Sequence, residues 1–192
     1  MRFDGGDNRI VPTEGDGTNR NAAVDLGYSS SRFKDLYLSG GVYLGGTGST
    51  NKLDDYERGN WTPVFAGSSA GTYTYGEQQG HYVKIGAQVT CWFNLTNIAT
   101  VSAGSGLVRI KGLPFTINWI SGFNGEGIGT VAVQGFTGID GKYISPRLQD
   151  SVDYLTLYHA TGTNNTLDTI DAQDKTDNLS DIRGCVTYNV AV

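Results

Sequence analysis

The stretch GHYVKIGAQVTCWFNL, residues 80–95, alternates side-chain types with the period of two that a half-buried β-strand shows. Gly86 separates its two alternating runs, as a glycine in a tight turn does. In the second run one set is apolar and the other is polar around a tryptophan: Val89, Cys91, Phe93 and Leu95 against Thr90, Trp92, Asn94 and Thr96. We therefore expect strands at residues 81–86 and 87–98, with Cys91 facing inward and Trp92 outward.

The rest of the chain after residue 60 has the same character, with glycine-marked turns between short apolar runs. Further strands are predicted at residues 61–67, 72–76, 106–115, 117–123, 127–136, 142–148, 153–160 and 182–190. About ten short strands predict an all-β fold, an antiparallel, jelly-roll-like β-sandwich over residues 60–192. Residues 161–181 are expected to form a long loop.

Residues 1–50 differ from this domain, because single apolar residues alternate with turn signals such as Asp4-Gly5 and Asp16-Gly17. The segment DLGYSSSRFKDLYLSGGVYLGG, residues 25–46, has too few apolar side chains to build a core. If the segment is extended, Leu36 and Leu38 share a face, as do Val42 and Leu44. One copy cannot cover these faces, so we expect a glycine-rich stalk that packs on its own domain or on further copies of the chain.

Residues 51–59 predict a short linking helix. Asp54 and Asp55 fall near its positive end, Arg58 near its negative end, and Gly59 can close it. The predicted organisation is therefore a stalk or anchor (1–50), a linking helix (51–59) and a head domain (60–192).

Composition limits the classes of function. Glycine accounts for 28 of 192 residues, against a usual share of roughly 7%, while proline is scarce, which favours tight turns over a disordered linker. The net charge of −5 argues against nucleic acid or an anionic membrane as a partner. No window reaches the roughly 18 to 20 apolar residues of a membrane helix, so we expect no membrane insertion.

The two cysteines, Cys91 and Cys185, each lie in an apolar, strand-like run. We favour two buried free thiols, and a disulfide stays open if their strands are neighbours. No second Cys or His pair accompanies either residue, so the spacing gives no zinc site. Five aspartates between residues 168 and 181 allow calcium, but their spacing is not that of an EF-hand, and a solvated loop is favoured.

The residues that could perform catalysis are few. His81 and His159 each lie in a strand pattern without a nearby His, Cys or acidic pair in the sequence. The glycine cluster at residues 45–50 lacks the lysine of a phosphate-binding loop. The cluster at residues 125–129 lacks the glycine spacing and the following helix of a dinucleotide site. We therefore expect a protein that is not an enzyme and has no cofactor.

Outward-facing aromatic residues give a better indication of function. Trp92, and the pair Tyr73 and Tyr75, offer rings on which the apolar face of a sugar can stack. The alternative interpretation is that these rings pack against a neighbouring subunit.

Four segments resemble bacteriophage tail-fibre and virion-fibre proteins. DLGYSSSRFKDLYLSGG, residues 25–41, is similar to the distal shaft of such fibres, and KLDDYERGNWTP, residues 52–63, to the start of their C-terminal β-sandwich domain. GHYVKIGAQVTCWFNL (80–95) and VRIKGLPF (108–115) resemble early strands of that domain.

The resemblance implies a homotrimer with an intertwined stalk, located on the tail or capsid surface of a virion. Leu36, Leu38, Val42 and Leu44 are the residues expected at the trimer contact, and the N-terminal region is expected to bind other virion proteins. The resemblance also implies attachment to the host surface, with a surface glycan as the receptor. Candidate receptor-binding residues lie on the sheet and in two loops: Trp92, Asn124, Asn164 and Asn165.

Two other functions stay open at this point. One is a capsid decoration or head-fibre protein with a purely structural role. The other, less favoured, is a glycan-degrading tailspike, a class that usually uses a long parallel β-helix.

Overall fold

A computed structural model describes residues 2–4, 6, 9–69, 71–118, 127–139, 141–160, 167–176 and 180–191. The chain forms two compact units, Met1–Gly40 and Gly41–Val192. In the described part of the chain, no helix has the length and apolar character needed to cross a bilayer. No α-helix occurs among the described residues, whose regular structure is almost entirely antiparallel strands.

The first unit contains little regular structure. β1 (Arg2–Asp4) pairs antiparallel with β2 (Arg9–Val11), and isolated bridges join Thr13 to Asn19 and Tyr28 to Ser31. Nearly all of its described side chains are exposed. The turn-rich character expected of this region is therefore present, in a unit that has almost no core of its own.

The described residues of the second unit contain thirteen strands and two short 3-10 turns, Ser49–Asn51 and Ala172–Asp174. The strands are β3 (Val42–Tyr43), β4 (Lys52–Leu53), β5 (Tyr56–Trp61), β6 (Val64–Ala66), β7 (Thr72–Thr74), β8 (Glu77–Ile85), β9 (Gln88–Ser102), β10 (Arg109–Lys111), β11 (Ile128–Gln134), β12 (Ile144–Leu148), β13 (Tyr154–Ala160), β14 (Leu167–Thr169) and β15 (Ser180–Asn189).

These strands form a large and a small sheet, and β3 pairs separately with β4. The large sheet has the order β11-β15-β9-β8-β5, with β7 added to the far end of β9. The small sheet has the order β12-β13-β10-β6, with β14 on β13. Every pairing is antiparallel. The predicted all-β class with antiparallel sheets is confirmed.

One hydrophobic core takes side chains from both sheets. Phe93 and Tyr188 come from the large sheet, and Ile110 and Leu155 from the small one, all at most 5% exposed. Phe65 of β6 packs edge-on against Tyr73 of β7, with ring centroids 4.6 Å apart. Burial of these side chains supplies most of the stabilisation of the unit, at roughly 1.5–3 kcal/mol for each large apolar side chain.

The alternation predicted for β9 is confirmed through Leu95. Val89, Cys91, Phe93 and Leu95 are buried, and Trp92 is exposed. Thr96, predicted to face outward, is buried. Asn97 adopts a φ of 48°, and the pairing of β15 with β9 shifts register at this point, so a β-bulge ends the simple alternation.

The predicted linking helix at residues 51–59 is wrong. A single 3-10 turn, Ser49–Asn51, is followed by β4 and β5. Asp55 has a φ of 58°, which an α-helix does not accept, and no side chain caps the turn at Gly48. Residues 56–61 instead pair with β8 along their whole length, and this ladder outweighs an isolated two-turn helix, which is marginal in water.

The predicted loop at residues 161–181 is also partly structured. In its described part, β14 pairs with β13, Ile170 is fully buried and a 3-10 turn follows. Asp171 and Asp174 bond to each other's backbone N–H in a capping box. The buried Ile170 and Ala172 hold this segment on the core, so these residues are not a free loop.

Candidate binding face around Trp92

Four side chains from four strands form one row across the outer face of the large sheet. Asn60 on β5 is directly opposite His81 on β8, His81 is opposite Trp92 on β9, and Trp92 is opposite Cys185 on β15. Directly paired residues in an antiparallel sheet point to the same face, about 5 Å apart. The Trp92 side chain is 44% exposed, whereas its neighbours Cys91 and Phe93 lie in the core. The outward position predicted for Trp92 is therefore confirmed.

A shallow depression of about 370 Å³ lies beside the Trp92 ring. Its walls come from β5, β8 and β9: Arg58, Gly59, Asn60, His81, Tyr82, Val83 and Trp92. One exposed aromatic ring with a few placed polar groups on a rigid sheet is a common composition for a small-molecule site. We call this surface the Trp92 face.

The His81 ring is oriented by Asn60. Its Nδ1 atom lies 2.7 Å from Oδ1 of Asn60. Because an amide oxygen only accepts hydrogen bonds, this contact holds a proton on Nδ1 and leaves Nε2 for contact with a ligand. The amide nitrogen of Asn60 provides a further donor at the same place. His81 thus stands directly beside Trp92, and Asn60 follows one strand further along the row.

The Trp92 face is supported from the core side by Trp61, at the end of β5. Its indole N–H donates to the backbone carbonyls of His81 and Trp92, both at 3.2 Å. The Trp61 ring lies directly against Gly80, where a Cβ would come within 2.5 Å of the indole nitrogen. Glycine is therefore required at residue 80 for the ring to approach the sheet this closely.

Beside this row, four polar side chains satisfy one another. The Asn94 amide donates to Glu77 at 2.6 Å, and Arg183 donates to Asn94 at 2.9 Å and to Asp181 at 2.8 Å. We call these residues the Asn94 chain. Its carboxylates and its guanidinium all have partners, so it forms a polar border to the Trp92 face.

The two cysteines lie on adjacent strands but on opposite faces. Cys91 is opposite Val186 and points into the core, whereas Cys185 is opposite Trp92 on the outer face. Both are free thiols, which agrees with the favoured prediction, although Cys185 is only half-buried. Burial raises the pKa of the Cys91 thiol to about 12, and burial also raises the pKa of Cys185.

Of the other residues predicted for binding, two are not exposed as expected and three lie outside the described residues. Tyr73 is buried in the core and Tyr75 is half-buried, with its hydroxyl 3.1 Å from the Phe65 amide, so this pair is not an exposed platform. Both rings fill space between the sheets. Asn124, Asn164 and Asn165 lie outside the described residues.

The second histidine, His159, and a metal site are the two other chemical features that the sequence raised. His159 is 6% exposed, and its Nδ1 contacts the adjacent backbone carbonyl of Ala160. Within the ranges that the structure describes, no group of three or more His, Cys, Asp or Glu side chains is placed to hold a metal ion. Among the described residues, the exposed groups best placed to bind a ligand are therefore those of the Trp92 face.

The four residues predicted for the trimer contact are all exposed in the single chain. The exposed fractions are 65% for Leu36, 52% for Leu38, 36% for Val42 and 56% for Leu44. Exposure in one chain is what a contact between copies requires, and the trimer itself stays a prediction.

Sequence reasoning found Trp92 but missed its partners. His81 was considered only for catalysis, and Arg58 and Asn60 fell in a segment predicted as a helix and its end. Asn60 and His81 are 21 residues apart, and only the pairing of β5 with β8 brings them together.

Comparison with known proteins gives one distant likeness. No protein-family model and no curated protein sequence matches the chain. Among solved structures, the chain is similar to the Dettilon tailspike protein (gp208), with 16% sequence identity and a TM-score of 0.50. The match covers 70% of this chain and 24% of the tailspike chain, so the chain spans about a quarter of that protein's length. This likeness shows a shared fold.

The likeness also corrects the prediction that the protein is not an enzyme. The matched protein is a tailspike, the class in which we placed glycan-degrading enzymes above. This class was less favoured because it usually uses a long parallel β-helix, for which 192 residues leave little room. That reason does not hold, because an antiparallel part of a tailspike has the fold of this chain.

Proposed function

We propose that this protein is a phage virion protein, a trimeric fibre or spike that attaches to a host surface glycan through the Trp92 face of a β-sandwich head. The observation that carries the proposal is the exposed Trp92 ring, which forms one row with His81 and Asn60 on the outer face of the large sheet. The fold likeness to a tailspike supports a location on the virion, at the tail or the capsid surface.

Sugar recognition fits the chemistry of this face. An indole ring offers a flat apolar surface for the C–H side of a sugar, and amide and imidazole groups beside it bond to hydroxyls. The site is shallow, so one copy binds weakly. Three copies on one head bind a repetitive glycan with much higher avidity, because the second and third contacts form at high effective concentration.

The trimer is supported by apolar side chains that a single chain leaves in water. Ten of them are more than one-third exposed between residues 24 and 44: Val24, Leu26, Tyr28, Phe33, Leu36, Tyr37, Leu38, Val42, Tyr43 and Leu44. Such exposure marks an interaction surface, and three intertwined stalks would bury these side chains together. The N-terminal region would also contact other virion proteins.

Glycan binding is tested with a glycan array of bacterial surface polysaccharides. The variant Trp92→Ala should bind at least tenfold more weakly than the wild type, which corresponds to about 1.4 kcal/mol. Tyr143→Ala is the matched control, because Tyr143 is an exposed aromatic residue of the same unit next to β12 of the small sheet. Equal binding by Trp92→Ala and wild type would remove the Trp92 face from the proposal.

The oligomeric state is tested by light scattering on the purified chain. We expect three times the chain mass of 20.6 kDa, and a smaller mass for a variant carrying Leu36→Glu and Leu38→Glu. A wild-type mass near 20.6 kDa would refute the trimer.

Two further measurements separate the alternatives. Electron microscopy of the particle distinguishes a tail fibre from a capsid decoration protein. Release of oligosaccharides from a bound polysaccharide would identify a glycan-degrading tailspike, the second candidate function, which the fold likeness favours.

A further inference from the structure

We infer that the Trp92 face selects a glycan bearing a carboxylate, which Arg58 binds while the sugar ring stacks on Trp92. The inference rests on the proposed function and specifies the class of sugar.

Arg58 is placed for this role by the register of β5. It lies two residues before Asn60 on the same strand, so both side chains point to the outer face, roughly 7 Å apart along the strand. Its direct partner on β8 is Val83, an apolar residue that offers the guanidinium no acceptor. Arg58 therefore stands at one side of the depression, with the ring of Trp92 on the other.

The depression has a positive wall and no negative one. Its described lining contains the Arg58 guanidinium and no carboxylate. No hydrogen bond or ion pair of the Arg58 side chain occurs within the described part of the molecule. A guanidinium in this state binds a carboxylate through two parallel hydrogen bonds, with both charge and geometry satisfied.

The nearby carboxylates are already engaged. Glu57 neighbours Arg58 in sequence, but it points to the opposite side of the sheet and accepts a hydrogen bond from the Tyr82 hydroxyl. Glu77 and Asp181 share the outer face, and both belong to the Asn94 chain. None of the three competes with a ligand for Arg58.

A neutral sugar would fit this site less well. A ligand that covers the depression removes water from Arg58, and a guanidinium without water or an anion is left unsatisfied. A carboxylate on the ligand replaces the lost water. Nε2 of His81, an acceptor, and the amide N–H of Asn60, a donor, remain for ring hydroxyls, so charge recognition and hydroxyl recognition use different groups.

The test is a glycan array that carries uronate and sialate glycans beside counterparts whose carboxyl groups have been reduced to alcohols. Wild-type protein should bind the carboxylated forms at least tenfold better. Arg58→Gln should lose this preference and keep its binding to the reduced forms, whereas Trp92→Ala should lose binding to both. Lys142→Gln is the charge-matched control, since Lys142 is an exposed cation outside the Trp92 face.

The outcomes separate this inference from the proposed function. If wild type binds reduced and carboxylated glycans equally, or Arg58→Gln keeps the preference, the inference is overturned while glycan attachment stands. If no glycan on the array is bound, both fall.

Discussion

Gly80→Ala should destabilise the head domain strongly, although it adds a single methyl group. The new Cβ would lie 2.5 Å from Nε1 and 2.7 Å from Cδ1 of Trp61, well inside van der Waals contact. The indole cannot easily move away, because Trp61 is 8% exposed and packs edge-on against Phe93 at 6.0 Å. The substitution therefore forces the ring off the sheet.

The cost has two parts. Overpacking of this kind typically costs about 1–3 kcal/mol. Displacement of the ring also breaks the hydrogen bonds from its N–H to the carbonyls of His81 and Trp92, and a buried donor left unsatisfied costs roughly 1–3 kcal/mol. Because the two effects share one movement, we expect a total of about 2–4 kcal/mol.

Urea unfolding followed by tryptophan fluorescence measures this loss. At one protein concentration, the unfolding midpoint of Gly80→Ala should fall by about 0.7–2 M, given a denaturant slope of roughly 2–3 kcal/mol/M. Gly48→Ala is the control, because Gly48 lies in the same unit and its added Cβ would meet no atom closer than 3.8 Å, so the midpoint should change little. An unchanged midpoint for Gly80→Ala would refute the packing of Trp61 against the sheet.

Three other substitutions test separate features of the second unit. Leu155→Ala removes a fully buried side chain of β13 and should cost about 2–5 kcal/mol in urea unfolding. In the Cys185→Ser variant, the native protein should not react with Ellman's reagent at mildly alkaline pH. The remaining thiol, Cys91, is buried and its pKa is raised to about 12, so it should react only after urea exposes it. Asp55→Asn keeps a residue that tolerates the positive φ at this position but removes the ion-pair partner of buried Lys84. It should lower the free energy of unfolding by about 2 kcal/mol, and no change would mean that the pair contributes nothing.

The fold class could be predicted from the sequence, because the alternation of inward and outward side chains is a pattern of neighbouring residues. The run from Val89 to Leu95 determines which side chains face inward, and Gly86, with a φ of 55°, forms the expected turn between β8 and β9. The exposure of Trp92 follows from the same alternation. Local pattern was misleading at residues 51–59, where helix-end signals in the sequence were overruled by pairing with a strand far along the chain.

The sequence by itself determined the all-β class, the alternation of β9 from Val89 through Leu95 and the exposed tryptophan. The tertiary structure alone decided which strands are neighbours. It splits the predicted strand at residues 61–67 into the end of β5 in one sheet and β6 in the other, with Pro63 between them. It also places Asn60, His81 and Trp92 in one row. The physical reason is that a period of two assigns a side chain to a face, whereas strand partners are chosen by the burial of both sheets around a common core.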